Sequence, residues 1–307
     1  MIGIILGFCC ALAFGVNAIV TRRGVLRASS NYVANISIFS GIPFFLFAAA
    51  VTGDIYQIDQ YPWQTYFYLA LSGVIHFAFG RTWSYKSIQL LGATRAYVAT
   101  SLYPVVSIGL AMIVLKETIK PLGILGIFFS LAGPLLTVMK EKTVPNGIQS
   151  TLGLERKELD RHTLYLGMLY GVGGAIFWGS SFIFIKLGLE GGGAPVAGTL
   201  IAYSAASVAI SPPLFLNRES KRELFKKDQR ALLLALAAGL TSNIAQLLRY
   251  LALACGSVIV ITILIRTTPL WVLLFSFLFN REYESFSRWV LLGNSLLVAG
   301  TLLILIS

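Results

Sequence analysis

Ten times along its length the chain runs through about twenty consecutive, mostly apolar residues, the length a helix needs to cross the hydrocarbon core of a bilayer. The stretches fall at 2–20, 32–51, 64–85, 96–115, 122–139, 164–185, 196–216, 231–252, 258–279 and 289–306. Hydrocarbon offers no water to an unpaired amide, so a segment inside it must close its backbone hydrogen bonds within itself. The fold class that follows is an all-α integral membrane protein of ten transmembrane helices. Charge agrees with this, because Asp, Glu, Lys and Arg make up 12% of the 307 residues, about half the share in an average soluble domain.

The net charge of +11 would suit nucleic acid if the basic side chains formed one stripe. They sit instead in short clusters between apolar runs, where anionic headgroups and topology control are their partners. The bilayer is therefore the expected partner and nucleic acid is not. Cys9, Cys10 and Cys255 lie inside or at the edge of apolar runs, so they read as packing residues rather than as a disulfide or zinc framework. No metal or cofactor is expected. A membrane-embedded enzyme would need His and acidic residues clustered near the interface, whereas His76 and His162 stand alone. No Gly-x-x-x-x-Gly-Lys-Ser/Thr loop is present to bind ATP. The first apolar run lacks a basic segment before it and carries Thr21-Arg22-Arg23 after it, so it reads as an uncleaved span.

One long polar segment, 140–163, divides the chain into halves of similar size, 1–139 and 164–307. The halves line up at a nearly constant offset. Gly15 and Gly24 fall opposite Gly179 and Gly188, Arg22 opposite Lys186, and Tyr85 opposite Tyr250; Pro104 meets Pro269, and Lys116-Glu117 meets Arg281-Glu282. Shared hydrophobicity would not bring Gly, Pro and a basic-acidic pair into step, so an internal duplication is expected. Five spans per repeat is an odd number, so the halves must enter the membrane in opposite senses. That is the inverted-repeat plan of secondary transporters, with a site near the midplane between the repeats.

The order of these motifs resembles the drug/metabolite transporter superfamily in its EamA-like branch. The motifs are Tyr103-Pro104, then Leu115-Lys116-Glu117, then Gly126 to Gly133, with a second copy in Thr268-Pro269, Arg281-Glu282 and Gly293 to Gly300. The segment Trp178-Gly179-Ser180-Ser181 leading to Lys186 is echoed by Phe14-Gly15-Val16-Asn17 and Arg22. The resemblance implies a ten-helix carrier with a central cavity lined by the first, third, fourth, sixth, eighth and ninth helices. It leaves the substrate open, since one fold serves many cargoes.

Polar groups inside the membrane are costly, which makes each a candidate. All 13 carboxylates lie in loops or at span ends. Glu117 and Glu282 read as interfacial partners of Lys116, Lys120 or Arg281, with gating as the alternative. Arg81 and Arg249 lie close enough to predicted span ends to snorkel. Arg266 sits about 12 Å into its span, too deep for that. His76 is mid-span, where a hydrogen bond between helices competes with a proton relay. Asn17, Ser180, Ser181, Asn243, Gln246 and Thr262 can join helices or touch a substrate. Trp178, Tyr97 and Tyr103 suit an aromatic wall. Pro104 and Pro269 each remove a backbone donor and are hinge or kink candidates. Buried arginines without carboxylates point to an anionic or zwitterionic small metabolite such as an amino acid.

Loops after odd-numbered spans hold 18 of the 24 Lys and Arg. The positive-inside rule then puts both termini outside the cell, while the family resemblance implies the cytoplasm. The expected location is the plasma or inner membrane, as a monomer or homodimer. The competing readings are a membrane-embedded enzyme, a non-transporting scaffold, and a carrier of neutral or drug-like compounds.

Overall fold

The computed structural model describes residues 1–25, 27–91, 99–100, 102–140, 161–216, 228–268, 270–271, 274–275 and 288–306. Tyr97, Pro269 and Glu282 lie outside them. Every regular element among the described residues is helical. Helix α1 (Ile2–Val25) is followed by α2 (Ser30–Phe39) and α3 (Gly41–Thr52), which meet at Ser40. A 3-10 segment (Asp54–Gln60) then leads into α4 (Trp63–Gly73), a π-helical stretch (Val74–Arg81) and α5 (Thr82–Leu91). Next come α6 (Tyr103–Val114) and α7 (Pro121–Lys140). After the segment between the halves come α8 (Arg161–Glu190), α9 (Pro195–Leu216), α10 (Gln229–Cys255), α11 (Val258–Ile265) and α12 (Arg288–Leu305).

Among the described residues, five helical stretches are long and apolar enough to cross a bilayer by length and composition: Ile2–Thr21, Asn31–Thr52, Tyr165–Glu190, Pro195–Pro212 and Gln229–Cys255. Local chemistry sets several ends. Ser29 caps α2 by accepting from the Tyr32 amide, Asp228 caps α10 through Arg230 and Ala231, and Ser257 caps α11 through Val260. Each side-chain oxygen satisfies an amide that has no acceptor in the first turn. Pro104 sits in the first turn of α6, with Leu102 as the cap. Its missing donor costs nothing there, so Pro104 marks where a helix starts instead of kinking one.

The outside is oily and the inside holds the polar groups, which is the reverse of a water-soluble domain. Phe47, Val208, Leu233 and Phe128 are exposed, whereas Asn243, Gln246, Arg249 and Thr262 are buried. Cys10 is buried and donates to the Ala245 carbonyl, while Cys9 and Cys255 are exposed, so only Cys10 packs inside. The main core joins Leu69, Phe182, Ile185, Tyr250, Leu253 and Ile261.

The helix contacts fall into reciprocal pairs. α1 packs along α10, as α8 does along α4, the π stretch and α5; α2 and α3 meet α10, as α9 meets α4. α7 and α12 pack chiefly on each other, leaving the remaining helices to enclose the centre. At the α4–α9 crossing a Cβ on Gly73 would overlap the Ala202 carbonyl, so only glycine allows that approach.

Candidate functional site

Arg249 lies at the heart of the bundle and is 1% exposed. α10 continues past it to Cys255, so the side chain stays inside and the snorkelling expected from the shorter predicted span does not occur. Its Nη1 lies 3.1 Å from Nδ1 and 3.3 Å from Nε2 of His76. Its guanidinium lies 5.2 Å from the ring centroid of Phe182 and 5.7 Å from that of Tyr250. Nε and Nη2 have no hydrogen-bond partner among the described residues. A buried guanidinium left with two free donors is expensive.

The π-helical stretch explains how two basic groups of the third span reach the centre. In a π turn residues five apart lie closer to one face than in an α-helix, which turns them to different faces. His76 and Arg81 are so spaced. His76 meets Arg249, stacks on Trp178 at 6.2 Å and lies 2.9 Å from Ser181 Oγ. Arg81 donates to Ser37 Oγ at 2.9 Å and lies over Phe77 at 5.2 Å. It also lines a cavity of about 50 Å³ with Asn17, Thr21, Ser37 and Ser242.

Arg266 follows the last residue of α11 and is 4% exposed, with its guanidinium 5.6 Å from the centroid of Tyr103. Tyr103 stacks on Phe182 at 6.3 Å and 14°. Arg266, Tyr103, Phe182 and Arg249 thus form one continuous cation–aromatic chain. Around it Trp178 Nε1, Asn243 Oδ1 and Gln246 Oε1 are buried without a partner among the described residues. Asn243 Nδ2 reaches Ser40 Oγ at 3.5 Å.

Other candidates make contacts within or between helices. Asn17 donates to the Ala238 carbonyl and to Thr241 Oγ1, tying α1 to α10. Ser180 donates to the Phe177 carbonyl of its own helix, and Ser107 of α6 donates to Thr262 Oγ1 of α11. Phe182 and Ser72, which bonds the Tyr250 hydroxyl at 3.0 Å, had escaped the sequence reading. Phe182 directly follows Ser181, but nothing in an apolar run marks which Phe faces a cation.

Glu117 is corrected by the structure. Its carboxylate does not pair with Lys116 or Lys120; it accepts from the amides of Val258 at 2.7 Å and Ile259 at 3.0 Å, the start of α11. Lys116 adopts the left-handed conformation, φ 57°, and the Glu117 amide bonds back to Ala111, which turns Glu117 off the end of α6. On the other side of the same corner, Lys186 Nζ donates to the carbonyls of Leu253 at 3.1 Å and Gly256 at 3.2 Å. An anion therefore sits at the positive end of α11 and a cation at the negative end of α10, the favourable sense for both dipoles. Gly3 packs against this corner so closely that a Cβ would approach the Cys255 carbonyl to 2.8 Å.

The EamA-like transporter family matches residues 1–139 and again 165–306. The chain belongs to that family. Transporter membership makes it a multi-pass membrane protein whose cargo is a small molecule and whose surroundings are lipid. None of the curated proteins matches this EamA-like sequence. A crystal structure of another protein superimposes with a TM-score of 0.75, over 98% of this chain and 95% of that one, at 14% identity. A likeness at that identity establishes the fold alone.

Proposed function

We propose that this EamA-like protein is a secondary transporter of a small anionic or zwitterionic metabolite, such as an amino acid, working by alternating access between two inverted five-helix halves. The observation that carries the substrate class is Arg249, buried at 1% exposure with Nε and Nη2 unpartnered among the described residues. The five carboxylates among the described residues, Asp54, Asp59, Glu117, Glu190 and Asp228, all lie at helix ends or in connecting segments, so none offsets it. A carboxylate presents two oxygens in the spacing a guanidinium fork recognises.

The halves are 1–139 and 164–307, joined by the polar segment 140–163. Support comes from the doubled motifs, the reciprocal helix contacts, and interruptions at corresponding places: turns at Leu102 and Thr267 stand two residues before Pro104 and Pro269. Broken helices beside a central cavity are the usual way a transporter presents polar groups at mid-membrane depth. The small cavity beside Arg81 lies toward the end that carries the Arg27–Asp228 ion pair. Arg23, Arg27 and Arg230 stand at that end, so positive-inside logic favours it as the cytoplasmic one, with the Glu117–Lys186 corner facing outward from a plasma or inner membrane.

The test is counterflow into liposomes containing the purified protein, with malate, L-glutamate, L-alanine and agmatine, a cation with no carboxylate, as probes. Exchange of a carboxylate-bearing probe but not agmatine is expected, with a loss of about 100-fold or more for Arg249→Gln, from the roughly 3 kcal/mol of a charge-assisted pair. Unchanged exchange by that variant, or transport of agmatine alone, refutes the reading.

A further inference from the structure

The central site binds a proton together with its anion, and the geometry points to His76 as the group that takes it. This inference rests on the anion site proposed above. Ser181 Oγ donates to the Trp178 carbonyl at 2.7 Å, so its hydrogen is spent and its oxygen can only accept from His76. Nδ1 of His76, 2.9 Å away, therefore carries the ring hydrogen. Arg249 Nη1, 3.1 Å from Nδ1 and 3.3 Å from Nε2, lies over the ring face and not in line with the Nε2 lone pair, so Nε2 stays unprotonated beneath a cation. His76 is thus held as one neutral tautomer by a serine at its edge and a guanidinium over its face. A second ring proton would set a cation against a cation.

The groups around the ring reinforce this. Arg249 faces it from α10, with Tyr250 beside the guanidinium; Ser181 and Trp178 face it from α8, and Arg81 lies one π turn along its own segment. From α9, Tyr203 packs on the adjacent Phe77. None of the carboxylates among the described residues touches the ring to share its proton. A substrate carboxylate entering between Arg249 and His76 reverses the balance. Arg249 turns its donors to one carboxylate oxygen, the Nε2 lone pair takes a proton from solvent, and Nε2–H donates to the other oxygen. The contact of the guanidinium with the ring face is exchanged for two hydrogen bonds, and the added proton faces an anion in place of a guanidinium. Binding of proton and anion are then reciprocally linked, each strengthening the other by the same factor. A carrier loaded in this way moves its anion with a proton, so a pH difference across the membrane drives it.

The experiment uses the purified full-length protein with malate, L-glutamate and L-alanine, whose carboxylates stay ionised from about pH 6.5 to 8.5. Proton uptake on binding is read with an indicator dye in weakly buffered solution, and affinity is measured across that range. The expected result is uptake approaching one proton per bound anion, and affinity falling by up to about tenfold per pH unit as pH rises. In His76→Gln, which keeps hydrogen-bonding capacity and cannot titrate, uptake disappears and the pH slope flattens, whatever affinity remains. Binding without proton uptake by the unmodified protein overturns the coupling and leaves the anion site standing. Uptake that persists in His76→Gln also overturns it, because the proton then lands elsewhere. Failure of all three probes to bind removes the anion site, and the coupling with it.

Discussion

Replacing Glu117 with Gln should loosen the corner between α10 and α11 and open the seam between α6 and α11. The carboxylate accepts two amide hydrogen bonds at the start of α11, at 2.7 and 3.0 Å. Bonds to a charged acceptor are each worth roughly 1.5–3 kcal/mol and neutral ones about 1 kcal/mol. Gln offers one oxygen to one amide and turns its own donor toward the other. The loss is therefore about 2–5 kcal/mol, and because solvent reaches the half-buried Glu117 the lower figure applies. About 2 kcal/mol is a shift of roughly 30-fold between closed and open forms at this corner. A cysteine at Thr262, one turn into α11 and fully buried beside Ser107, reports on it. In a background with Cys9, Cys10 and Cys255 replaced by alanine, Thr262→Cys should react with a water-soluble maleimide about 30-fold faster when Glu117→Gln is added. Equal labelling rates, with both proteins monodisperse and equally expressed, would mean that Glu117 does not hold the corner shut.

Lys116→Gly removes the cost of a left-handed backbone at a residue with a Cβ, so it should stabilise the protein by about 1 kcal/mol, seen as a higher midpoint in thermal unfolding followed by size-exclusion chromatography. Gly73→Ala drives a methyl into the Ala202 carbonyl and should cost about 2 kcal/mol or more, with the protein aggregating at a lower temperature in the same assay. Asp228 is held below the ordinary carboxylate range, first by the Ala231 amide and then by Arg27. Its folded value is the lower one, so its contribution is present above the unfolded carboxylate value near pH 4 and is lost as pH falls through the folded value. Asp228→Asn keeps a capping oxygen without the charge, and should therefore remove a component of the acid-side fall in thermal stability; an unchanged acid limb would refute this.

Hydrocarbon acts on sequence in one dimension, and what depends on that dimension was legible without coordinates. The length and hydropathy of each run, the polar segment 140–163 and the matched Pro104/Pro269 and Glu117/Glu282 positions follow from composition along the chain. So does the presence of Arg249, Arg266, Arg81 and His76 among residues with which they have little in common. Hydropathy averages around a helix, however, and carries no azimuth. It could not register the π turn that brings His76 and Arg81 toward the same face, or show that Asn17 and Thr262 join helices while Arg249 keeps Nε and Nη2 unpartnered among the described residues. Helix ends are also decided by neighbours. α10 runs on to Cys255, with Lys186 holding the carbonyls at its end, and this length keeps Arg249 buried, where the shorter predicted span would have let it reach the headgroups. Glu117 found its partners 141 and 142 residues away on another span, because the unpaired amides at a helix start are an acceptor's best target and only the tertiary fold determines which helix start lies within reach.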